Sequence, residues 1–426
     1  MSIYYVIYNA LIIIIASLYL PYFYLKSKIF QTKSNILEKL GIFIGKNLSL
    51  QSCIWIHAVS VGEVLASYPI IKEVKKEFPK KKIILSVWTN TGFEVALKKV
   101  DGIEFLFYFP FDIYWIIKKV LNKINPYLII ILETEIWPNF LHLANKMNIP
   151  VILANGRISQ KSFVRYKMIP KYFAKEVLNK HSLFCMQSEK EVKSIIYLGA
   201  RHNKVKICGN SKFDQVYPQY EKEEKKKLLE SLYLSTSNKI IVAGSTHKGE
   251  EEILLESFNI LKKDFPDLRL IIAPRHLNRV ERIESILIKK NISYFKYTQR
   301  SKKEVDVIIL DTIGELIKFY HIATLVIMGG SFVPAGGHNI IEPAFIKKPI
   351  IFGPFMENFA DIMELFKDKK ACIQVGNKVS LVDVISDLLL NKDKRKRLGL
   401  NAYKVSTENQ GTSKRVIEEI KKLQRI

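Results

Sequence analysis

The sequence lacks the residue spacings that define several common classes of functional site. Its four cysteines form no C-x-x-C pair, which argues against a zinc site or a disulfide framework and is typical of small buried thiols in a reducing compartment. Its histidines form no H-x-x-x-H pair, so neither a metal nor another cofactor is predicted. No G-x-S-x-G elbow, Walker P-loop or G-x-G-x-x-G after the first strand is present, which disfavours hydrolases of that type and NAD enzymes.

Acidic residues are too few to balance the basic ones. The chain has 41 Asp and Glu against 66 Lys and Arg, a formal net charge of +25. Nucleic acid, an anionic membrane surface and anionic small substrates compete as explanations. No run of basic residues interleaved with aromatics stands out, and no RNP, KH or zinc-finger pattern is present. Nucleic acid is therefore not a predicted partner.

Charged side chains are absent from residues 1–25, whose centre, residues 10–20, is apolar on every helical face. This segment predicts a membrane-anchor helix with tyrosines near both ends. Lys26, Lys28 and Lys33 follow, which places the rest of the chain in the cytoplasm by the positive-inside rule. A helix lying in the interface is the main alternative. A cleaved signal peptide fits poorly, because a basic start and a clean cleavage site are lacking.

The remaining chain shows the same alternation of apolar runs and amphipathic stretches twice. Residues 26–216 and 239–426 carry it, and a charged, loop-rich segment, 217–238, links them. This pattern predicts an α/β protein with two Rossmann-like, doubly wound domains facing a cleft. The tail, residues 414–426, is predicted to be a basic helix of the second domain. The predicted strands are 53–58, 82–87, 127–132, 150–154, 182–186, 239–243, 268–273, 305–310, 323–328 and 349–352.

Residues 329–342 are the most informative stretch of the chain. After a predicted strand, two glycine pairs enclose a loop, and a helix is predicted to open at Asn339 with Glu342 in its first turn. Such a turn presents backbone N–H groups and a positive helix end to a phosphate. Glu342 is placed to accept hydrogen bonds from ribose hydroxyls. A nucleotide, or a nucleotide-activated substrate, is the predicted ligand.

Carboxylates and cations follow the strands of the first half. Glu63 opens a helix, either as a general base or as a charge that complements the helix end, and spacing does not decide between the two. Glu133 and Glu135 follow a strand and would point to opposite sides if it persisted. Lys212 suits an anionic sugar or a developing charge. Arg157 is interpreted equally as an anion ligand or as part of a structural ion pair.

Polar and glycine residues follow the strands of the second half in the same way. Residues 243–250 are similar to an anion-binding loop, although they do not satisfy the Walker pattern. Arg275 is a good bidentate ligand for phosphate. Gly314 has no side chain, so the base of a nucleotide could approach the backbone closely at this position. Because all these segments come directly after strands, they are expected at one edge of the sheet.

Taken together, these segments resemble the bacterial Kdo transferases, which transfer 3-deoxy-D-manno-octulosonic acid to lipid IVA and are membrane-anchored glycosyltransferases of the GT-B fold. The resemblance covers nearly the whole chain, from the anchor to about residue 410. The order of the matching segments makes it specific. They are residues 57–63 with S-V-G-E, 133–139 with E-T-E-I-W-P-N, 155–159, 209–214, 245–250, 274–276 and 329–342 with G-G-H-N.

The resemblance implies transfer of Kdo from CMP-Kdo to lipid IVA, with inversion at the anomeric carbon, in lipopolysaccharide core biosynthesis. It also implies work at the anionic cytoplasmic face of the inner membrane. Glu63 matches the family's proton acceptor, and Glu133 and Lys212 match positions that stabilise the transition state, which favours a catalytic Glu63. The residues that match CMP-binding segments are Pro274, Arg275, Ile313, Gly314, Glu315, Asn339, Ile340, Ile341 and Glu342.

Two other functions compete with this interpretation. The same fold serves UDP-sugar transferases and epimerases, which protection of the second domain by UDP rather than CMP would favour. A membrane-tethered protein that holds anionic lipid or RNA would instead show binding with a steep salt dependence and no release of CMP. The number of Kdo residues added is not encoded in any segment that we can interpret.

Overall fold

A computed structural model describes residues 3–29, 35–42, 52–299 and 303–424, with the side chains of 19–29 and 424 left out. The chain forms two compact units. The first comprises Met1–Gln215 together with Asn409–Ile426, and the second comprises Val216–Glu408. Each unit contains one seven-stranded sheet, and every strand pair is parallel. The predicted pair of parallel-sheet α/β domains is confirmed.

The first sheet has the strand order β3-β2-β1-β4-β5-β6-β7. Its inner strands are buried along their whole length, and the central β4 consists only of Leu and Ile, because both faces are covered by helices. The strands are β1 Ile54–Ala58, β2 Ile83–Val87, β3 Phe105–Tyr108, β4 Leu128–Leu132, β5 Val151–Gly156, β6 Leu183–Met186 and β7 Val205–Ile207. The helices are α1 Ile3–Ile29, α2 Ile36–Lys39, α3 Val61–Glu77, α4 Asn90–Lys99, α5 Tyr114–Ile124, α6 Pro138–Lys146, α7 Gln160–Lys167, α8 Lys171–Leu178 and α9 Glu189–Tyr197.

The second sheet has the order β10-β11-β9-β8-β12-β13-β14. Its strands are β8 Lys239–Thr246, β9 Leu268–Pro274, β10 Tyr294–Lys296, β11 Val307–Ile309, β12 Leu325–Met328, β13 Ile350–Phe352 and β14 Ile373–Gln374. The helices are α10 Lys222–Ser231, α11 Glu250–Asp264, α12 Val280–Lys289, α13 Leu316–Ile322, α14 Ile341–Phe345, α15 Ala360–Asp368, α16 Lys378–Leu390 and α17 Lys392–Glu408, and α18 Thr412–Gln424 follows. All ten predicted strands are present, and β3, β7, β10 and β14 were not predicted.

The N-terminal helix forms, but the spanning anchor predicted for residues 1–25 is not supported. No helix in the described part of the chain is long and apolar enough to cross a membrane. The first turns of α1 are instead part of the first unit, where Tyr5 is fully buried and Asn9 exchanges hydrogen bonds with Asn139. The side chains of Lys26, Lys28 and Lys33, on which the predicted orientation depends, lie outside the described residues.

A buried carboxylate joins α1 to the body of the first unit. Asp112 accepts a hydrogen bond from the Tyr8 hydroxyl at 2.8 Å, and it also accepts from the backbone N–H groups of Asn139 and Phe140 at 2.9 and 2.8 Å. It therefore caps the start of α6 and holds α1 at the same point. Burial raises the pKa of Asp112 to about 7.

The boundaries of the two units differ from those predicted. Residues 217–238, predicted to be a linker, belong to the second unit, where Leu228 and Leu229 of α10 are buried. The C-terminal helix α18, predicted to belong to the second domain, lies in the first unit. Its Val416, Ile417 and Ile420 are buried in the core that covers one face of the first sheet, which accounts for this placement.

Candidate active site

Glu63 lies in the first turn of α3, directly after β1. The Ser60 hydroxyl caps this helix by accepting a hydrogen bond from the Glu63 backbone N–H at 3.4 Å. In return, the Glu63 carboxylate accepts from the Val59 N–H at 2.7 Å and from the Ser60 hydroxyl at 3.0 Å. Reciprocal capping of this kind fixes the position of the carboxylate at the carboxyl end of β1.

The environment of Glu63 makes its carboxylate an unusually strong proton acceptor. Its pKa is raised to about 8, mainly by burial and secondly by the charge of Glu133. The hydrogen bond from Val59 opposes the shift, and Glu135 adds to it. Only 7% of the residue is exposed. A carboxylate with a pKa near physiological pH is well matched to the task of a general base.

Glu133 pairs with Lys212. The Lys212 Nζ lies 3.3 Å from the Glu133 Oε1, and both side chains are largely buried. β4 ends at Leu132, and Glu133 then takes the left-handed conformation with φ of 57°. The alternating orientation predicted for Glu133 and Glu135 therefore does not apply. Burial, followed by the charge of Glu133, raises the pKa of Glu135 to about 7.

Hydrogen bonds from neighbouring elements position the loop that carries Lys212. The Ser211 N–H donates to the Asn155 side chain at 2.9 Å, and the Ser211 hydroxyl donates to the carbonyl of Ala66 in α3 at 2.9 Å. The Asn210 side chain accepts from the Lys212 N–H at 3.0 Å. The loop is thereby tied to β5 and to the helix that carries Glu63, so the lysine and both carboxylates belong to one preorganised cluster.

The glycine-rich loop after β12 is organised by a carboxylate of the protein itself. Glu250, fully buried at the start of α11, accepts hydrogen bonds from the N–H groups of Gly330, Ser331 and Phe332 at 2.7 to 2.9 Å. It also accepts from the His247 N–H at 2.7 Å. The prediction that these N–H groups are bare and available to a phosphate is therefore wrong. Burial raises the pKa of Glu250, and the four backbone donors oppose that shift.

The helix predicted to open at Asn339 begins at Ile341 and has five residues. It is too short to offer a substantial helix dipole to an anion. Ile340 and Ile341 are buried in the core, so their side chains are unavailable to a ligand. The Asn339 amide donates to the Glu342 carboxylate and to the Tyr217 hydroxyl, both at 3.3 Å. These polar side chains remain as candidate contacts to a ribose.

The loop after β9 is fixed by backbone and ionic contacts. Pro274 ends the strand, and the N–H of Arg275 donates to the Thr246 carbonyl at 2.9 Å. Four residues later, Arg279 forms a bidentate ion pair with the buried Glu251. Its Nε and Nη2 atoms donate to the two carboxylate oxygens at 3.0 and 2.9 Å. The Arg275 side chain itself is exposed. Arg275 thus presents a positive charge that a phosphate can reach, on a loop whose backbone is fixed.

The segment after β11 presents an open backbone. Gly314 has a φ of 94°, and no atom lies within 4 Å of the place where a Cβ would stand. Ile313 beside it is 81% exposed, which leaves an apolar surface for a flat ring. The Glu315 carboxylate accepts a hydrogen bond from Thr312 at 2.6 Å. β11, β9, β8 and β12 are neighbours in the sheet, so this segment, Arg275 and the glycine-rich loop share one edge.

Two histidines at this edge were not predicted as site residues. The Nε2 atoms of His247 and His338 are 2.8 Å apart, so one ring donates its hydrogen to the other. Burial and the positive charge of Arg275 lower the pKa of His338 to about 4, and the ring of His276 lies 5.9 Å from that of His247. No sequence signal predicts the pair, because its members are 91 positions apart on separate loops. Their convergence with Arg275 favours an anionic ligand here.

Among the described residues, no group of three or more His, Cys, Asp or Glu side chains is arranged to hold a metal ion. The predicted site residues fall into two groups. Glu63, Glu133 and Lys212 lie together in the first unit. The residues that match CMP-binding segments are all in the second unit, in the loops that follow β9, β11 and β12.

Comparison with known proteins identifies the chain. A family model described as 3-deoxy-D-manno-octulosonic-acid transferase (kdotransferase) matches residues 34–215, and one described as group 1 glycosyl transferases matches residues 235–405. The 3-deoxy-D-manno-octulosonic acid transferase of Haemophilus influenzae is 33% identical over 395 residues, which cover 91% of each chain. The chain belongs to the Kdo transferase family. This Kdo transferase is a glycosyltransferase of lipopolysaccharide biosynthesis.

Two further similarities concern domain organisation and fold. A bifunctional glycosyltransferase/methyltransferase of Fusobacterium nucleatum is 38% identical over 82% of this Kdo transferase, which spans 56% of that longer protein. The structure of UDP-GlcNAc 2-epimerase from Neisseria meningitidis bound to UDP-GlcNAc matches with a TM-score of 0.61 at 14% identity, covering 87% of this chain and 99% of the epimerase. At that identity the match concerns the fold alone, and it agrees with the predicted GT-B class.

Proposed function

We propose that this Kdo transferase moves Kdo from CMP-Kdo to lipid IVA and that Glu63 is its general base. The observation that carries the proposal is the cluster of Glu63, Glu133 and Lys212. It combines a carboxylate of raised pKa with a cation held by a second carboxylate. Membership in the family gives the transferred sugar, and the cluster supplies a means of activating an acceptor hydroxyl.

In the proposed reaction, Glu63 takes the proton of an acceptor sugar hydroxyl as its oxygen attacks the anomeric carbon of Kdo. The bond between that carbon and the phosphate oxygen breaks on the opposite side, and CMP leaves with the electron pair, so the configuration inverts. A positioned base of this kind contributes roughly 10²–10⁴-fold to the rate. Lys212 stabilises negative charge that develops near the acceptor or the Kdo carboxylate, and Glu133 keeps the lysine in place.

In the proposed donor site, Arg275 meets the phosphate of CMP. His247 and His338, which already share one hydrogen, lie beside it and can take up a second proton when an anion arrives. The open backbone at Gly314 and the exposed Ile313 accommodate the cytosine ring. Asn339, Glu342 and Glu315 are the candidate partners of the ribose hydroxyls. This assignment of roles follows the segments that resemble those of the family.

The proposed place of action is the cytoplasmic face of the inner membrane, where an anionic lipid acceptor is found. The net charge of +25 supports attraction to such a surface. The exposed basic side chains of α7 and α8 support it as well, because they lie in the same unit as Glu63.

The test is a comparison of wild-type protein and Glu63→Gln with CMP-Kdo and lipid IVA, with the lipid products weighed by mass spectrometry. We expect the substitution to lower the transfer rate by at least about 100-fold. CMP affinity, measured by calorimetry, should change by less than about twofold, because Glu63 belongs to a different unit from the CMP segments.

Glu104→Gln, an uncharged substitution at an acidic residue of the first unit outside the cluster, is the control and should keep the wild-type rate. Full transfer by Glu63→Gln would show that Glu63 is not the base. Turnover of a UDP-sugar in place of CMP-Kdo would overturn the assignment of the donor.

A further inference from the structure

An apolar groove of about 490 Å³ runs between α1 and α8 in the first unit. Ile7 and Leu11 of α1 form one wall, Phe173 and Ala174 of α8 form the other, and Trp137 closes one end. The volume is within the range of small-molecule pockets, roughly 300–1,000 Å³. Its lining is almost entirely hydrocarbon and aromatic, so it has few groups that could bind a polar ligand.

The outer face of α1 continues this apolar surface. Among the side chains of α1 that the structure describes, residues 3–18, the large apolar ones exposed to solvent are Ile3, Val6, Ile7, Leu11, Ile13, Ile14, Ile15 and Leu18. A contiguous apolar surface of this size on a soluble monomer is unusual and marks contact with a membrane, a lipid or another protein. The groove and this face together therefore point to a hydrophobic ligand of some length.

The helices beside the groove are strongly basic. Between positions 157 and 175 the sequence has six Lys or Arg residues and no Asp or Glu. Lys161, Arg165, Lys171 and Lys175 are exposed there, next to Met168, which is 81% exposed. Apolar and basic side chains mixed in this way are typical of a surface that meets anionic lipid headgroups. Charge complementarity thus favours a phosphorylated lipid over an uncharged hydrophobic partner.

The groove and the Glu63–Glu133–Lys212 cluster share one segment of the chain. Residues 133–139 form one segment that begins with Glu133 and ends at the start of α6, and its Ile136, Trp137 and Pro138 line the groove. The Tyr166 hydroxyl donates to the carbonyl of Thr134 at 3.1 Å, which fixes the segment against α7. Three positions of the chain separate Glu133 of the cluster from Ile136 of the groove.

We propose that this groove, the acyl groove, holds one fatty acyl chain of the phosphorylated lipid acceptor while the acceptor sugar lies at the Glu63–Glu133–Lys212 cluster. The inference rests on the proposed function, because it names the part of the acceptor that binds there. The basic side chains of α7 and α8 meet the acceptor phosphate or neighbouring anionic headgroups. The exposed face of α1 enters the apolar boundary of the membrane surface from which the acceptor comes.

The test uses the full chain and a lipid IVA analogue with bromine atoms in one acyl chain. Bromine quenches tryptophan fluorescence only at close range, and Trp137 lines the groove. We expect the brominated analogue to quench the wild-type protein and the unbrominated analogue not to do so. Trp137→Phe should abolish most of this difference.

Two substitutions alter the groove without touching the carboxylates. Ala174→Phe fills it from α8, and Leu11→Gln replaces a half-exposed apolar side chain, so the second variant is expected to fold even if the first does not. Each should weaken binding of the acylated acceptor by at least about tenfold, seen as a shift of the quenching curve. Leu97→Gln, the same change at an exposed position of α4, is the matched control and should bind as the wild-type protein does.

Transfer of Kdo to acylated and to de-acylated acceptor separates this inference from the proposed function. We expect the groove variants to lose activity towards the acylated acceptor and to retain it towards the de-acylated one. If the wild-type protein transfers Kdo to neither acceptor, the proposed function fails, whereas quenching still tests the groove. Equal quenching in wild-type protein and both variants would overturn the inference. A stable dimer that buries α1 and shows no quenching would overturn it as well, in favour of a second copy of the chain.

Discussion

Glu63 has features of both of the roles between which its sequence position does not decide. Its carboxylate takes part in capping α3 through Val59 and Ser60, and the same carboxylate has a pKa of about 8. The capping bonds hold it in one orientation, while burial and the charge of Glu133 keep its affinity for protons high. The capping hydrogen bonds therefore fix the position of the Glu63 carboxylate, whereas burial and the charge of Glu133 set its pKa.

The raised pKa of Glu63 has a predictable effect on stability. The pKa of Glu63 in the folded protein, about 8, exceeds the ordinary value of 4.5. The contribution of this side chain to folding stability is therefore fully present below pH 4.5 and is lost as the pH rises towards 8. Glu63→Gln replaces the carboxylate with an amide that has nearly the same shape but cannot ionise. We expect it to raise the free energy of unfolding at pH 8 by on the order of 1–3 kcal/mol, with little effect at pH 4.5.

Denaturant unfolding of both proteins at the two pH values measures this effect. Glu94→Gln, the same change at an exposed residue of α4, serves as the control. An equal or lower stability of Glu63→Gln at pH 8 would show that the carboxylate is not strained by its burial.

At the scale of elements, Glu250 organises the glycine-rich loop after β12, whose sequence resembles that of a phosphate-binding loop. Its two oxygens accept hydrogen bonds from three consecutive N–H groups of the glycine-rich loop and one from His247. The helix α11 is in this way joined to the loop after β12. The loop is thus fixed by the protein itself, and the groups left to contact a ligand are the side chains at its rim.

Glu250→Gln should disturb this arrangement, because the amide NH₂ group would face N–H groups instead of accepting from them. Two or more buried backbone N–H groups would lose their hydrogen-bond acceptor, and each loss should lower the free energy of unfolding by about 1–3 kcal/mol. We expect a lower melting temperature and at least about tenfold weaker binding of CMP, measured by calorimetry. Glu281→Gln, the same change in the first turn of α12 at an exposed position, should alter neither.

The elements that the sequence predicts and those that it misses differ in their place in the sheets. The ten predicted strands are the inner ones, where both faces are buried and apolar runs are continuous. The four that it misses, β3, β7, β10 and β14, are the outer strands of the two sheets. In β7, Lys206 and Ile207 are exposed. Outer strands are short and partly solvated, so their sequences lack the signal that identifies a buried strand.

The same limit applies to the candidate site. Residue types at strand ends predict Glu63, Glu133, Lys212 and Arg275, because chemistry at the carboxyl edge of a parallel sheet follows from topology. Contacts between distant loops, such as that of His247 with His338, carry no local signal. The use of the loop N–H groups by Glu250 also depends on a contact between residues 80 to 82 positions apart.

At the scale of the whole molecule, the chain completes its first unit with its last helix. Arg415 of α18 donates to the Cys208 carbonyl at 2.7 Å, and Asp214 accepts from the N–H groups of Gly411 and Ser413 at 2.6 Å each. Val416, Ile417 and Ile420 are buried with the strands of the first sheet. This helix is therefore part of the core of the unit that contains Glu63, Glu133 and Lys212.

Ile420→Ala should lower the free energy of unfolding by about 2–4 kcal/mol, as expected for a large-to-small change in a core. Denaturant unfolding followed by tryptophan fluorescence measures it, because all four tryptophans, Trp55, Trp88, Trp115 and Trp137, are in the first unit. Leu97→Ala, at an exposed position of α4 in the same unit, is the control and should cost less than about 1 kcal/mol. Equal costs would mean that α18 contributes little to the first unit.

The return of the chain to its first unit at Asn409 also sets an order of events during synthesis. A ribosome must add about 210 further residues after Gln215 before α18 is complete, which takes roughly 10–40 s at about 5–20 residues per second. Throughout that interval one apolar face of the nascent first sheet is only partly covered, by α3 and α4. The growing chain therefore finishes its second unit before it can complete the core of its first.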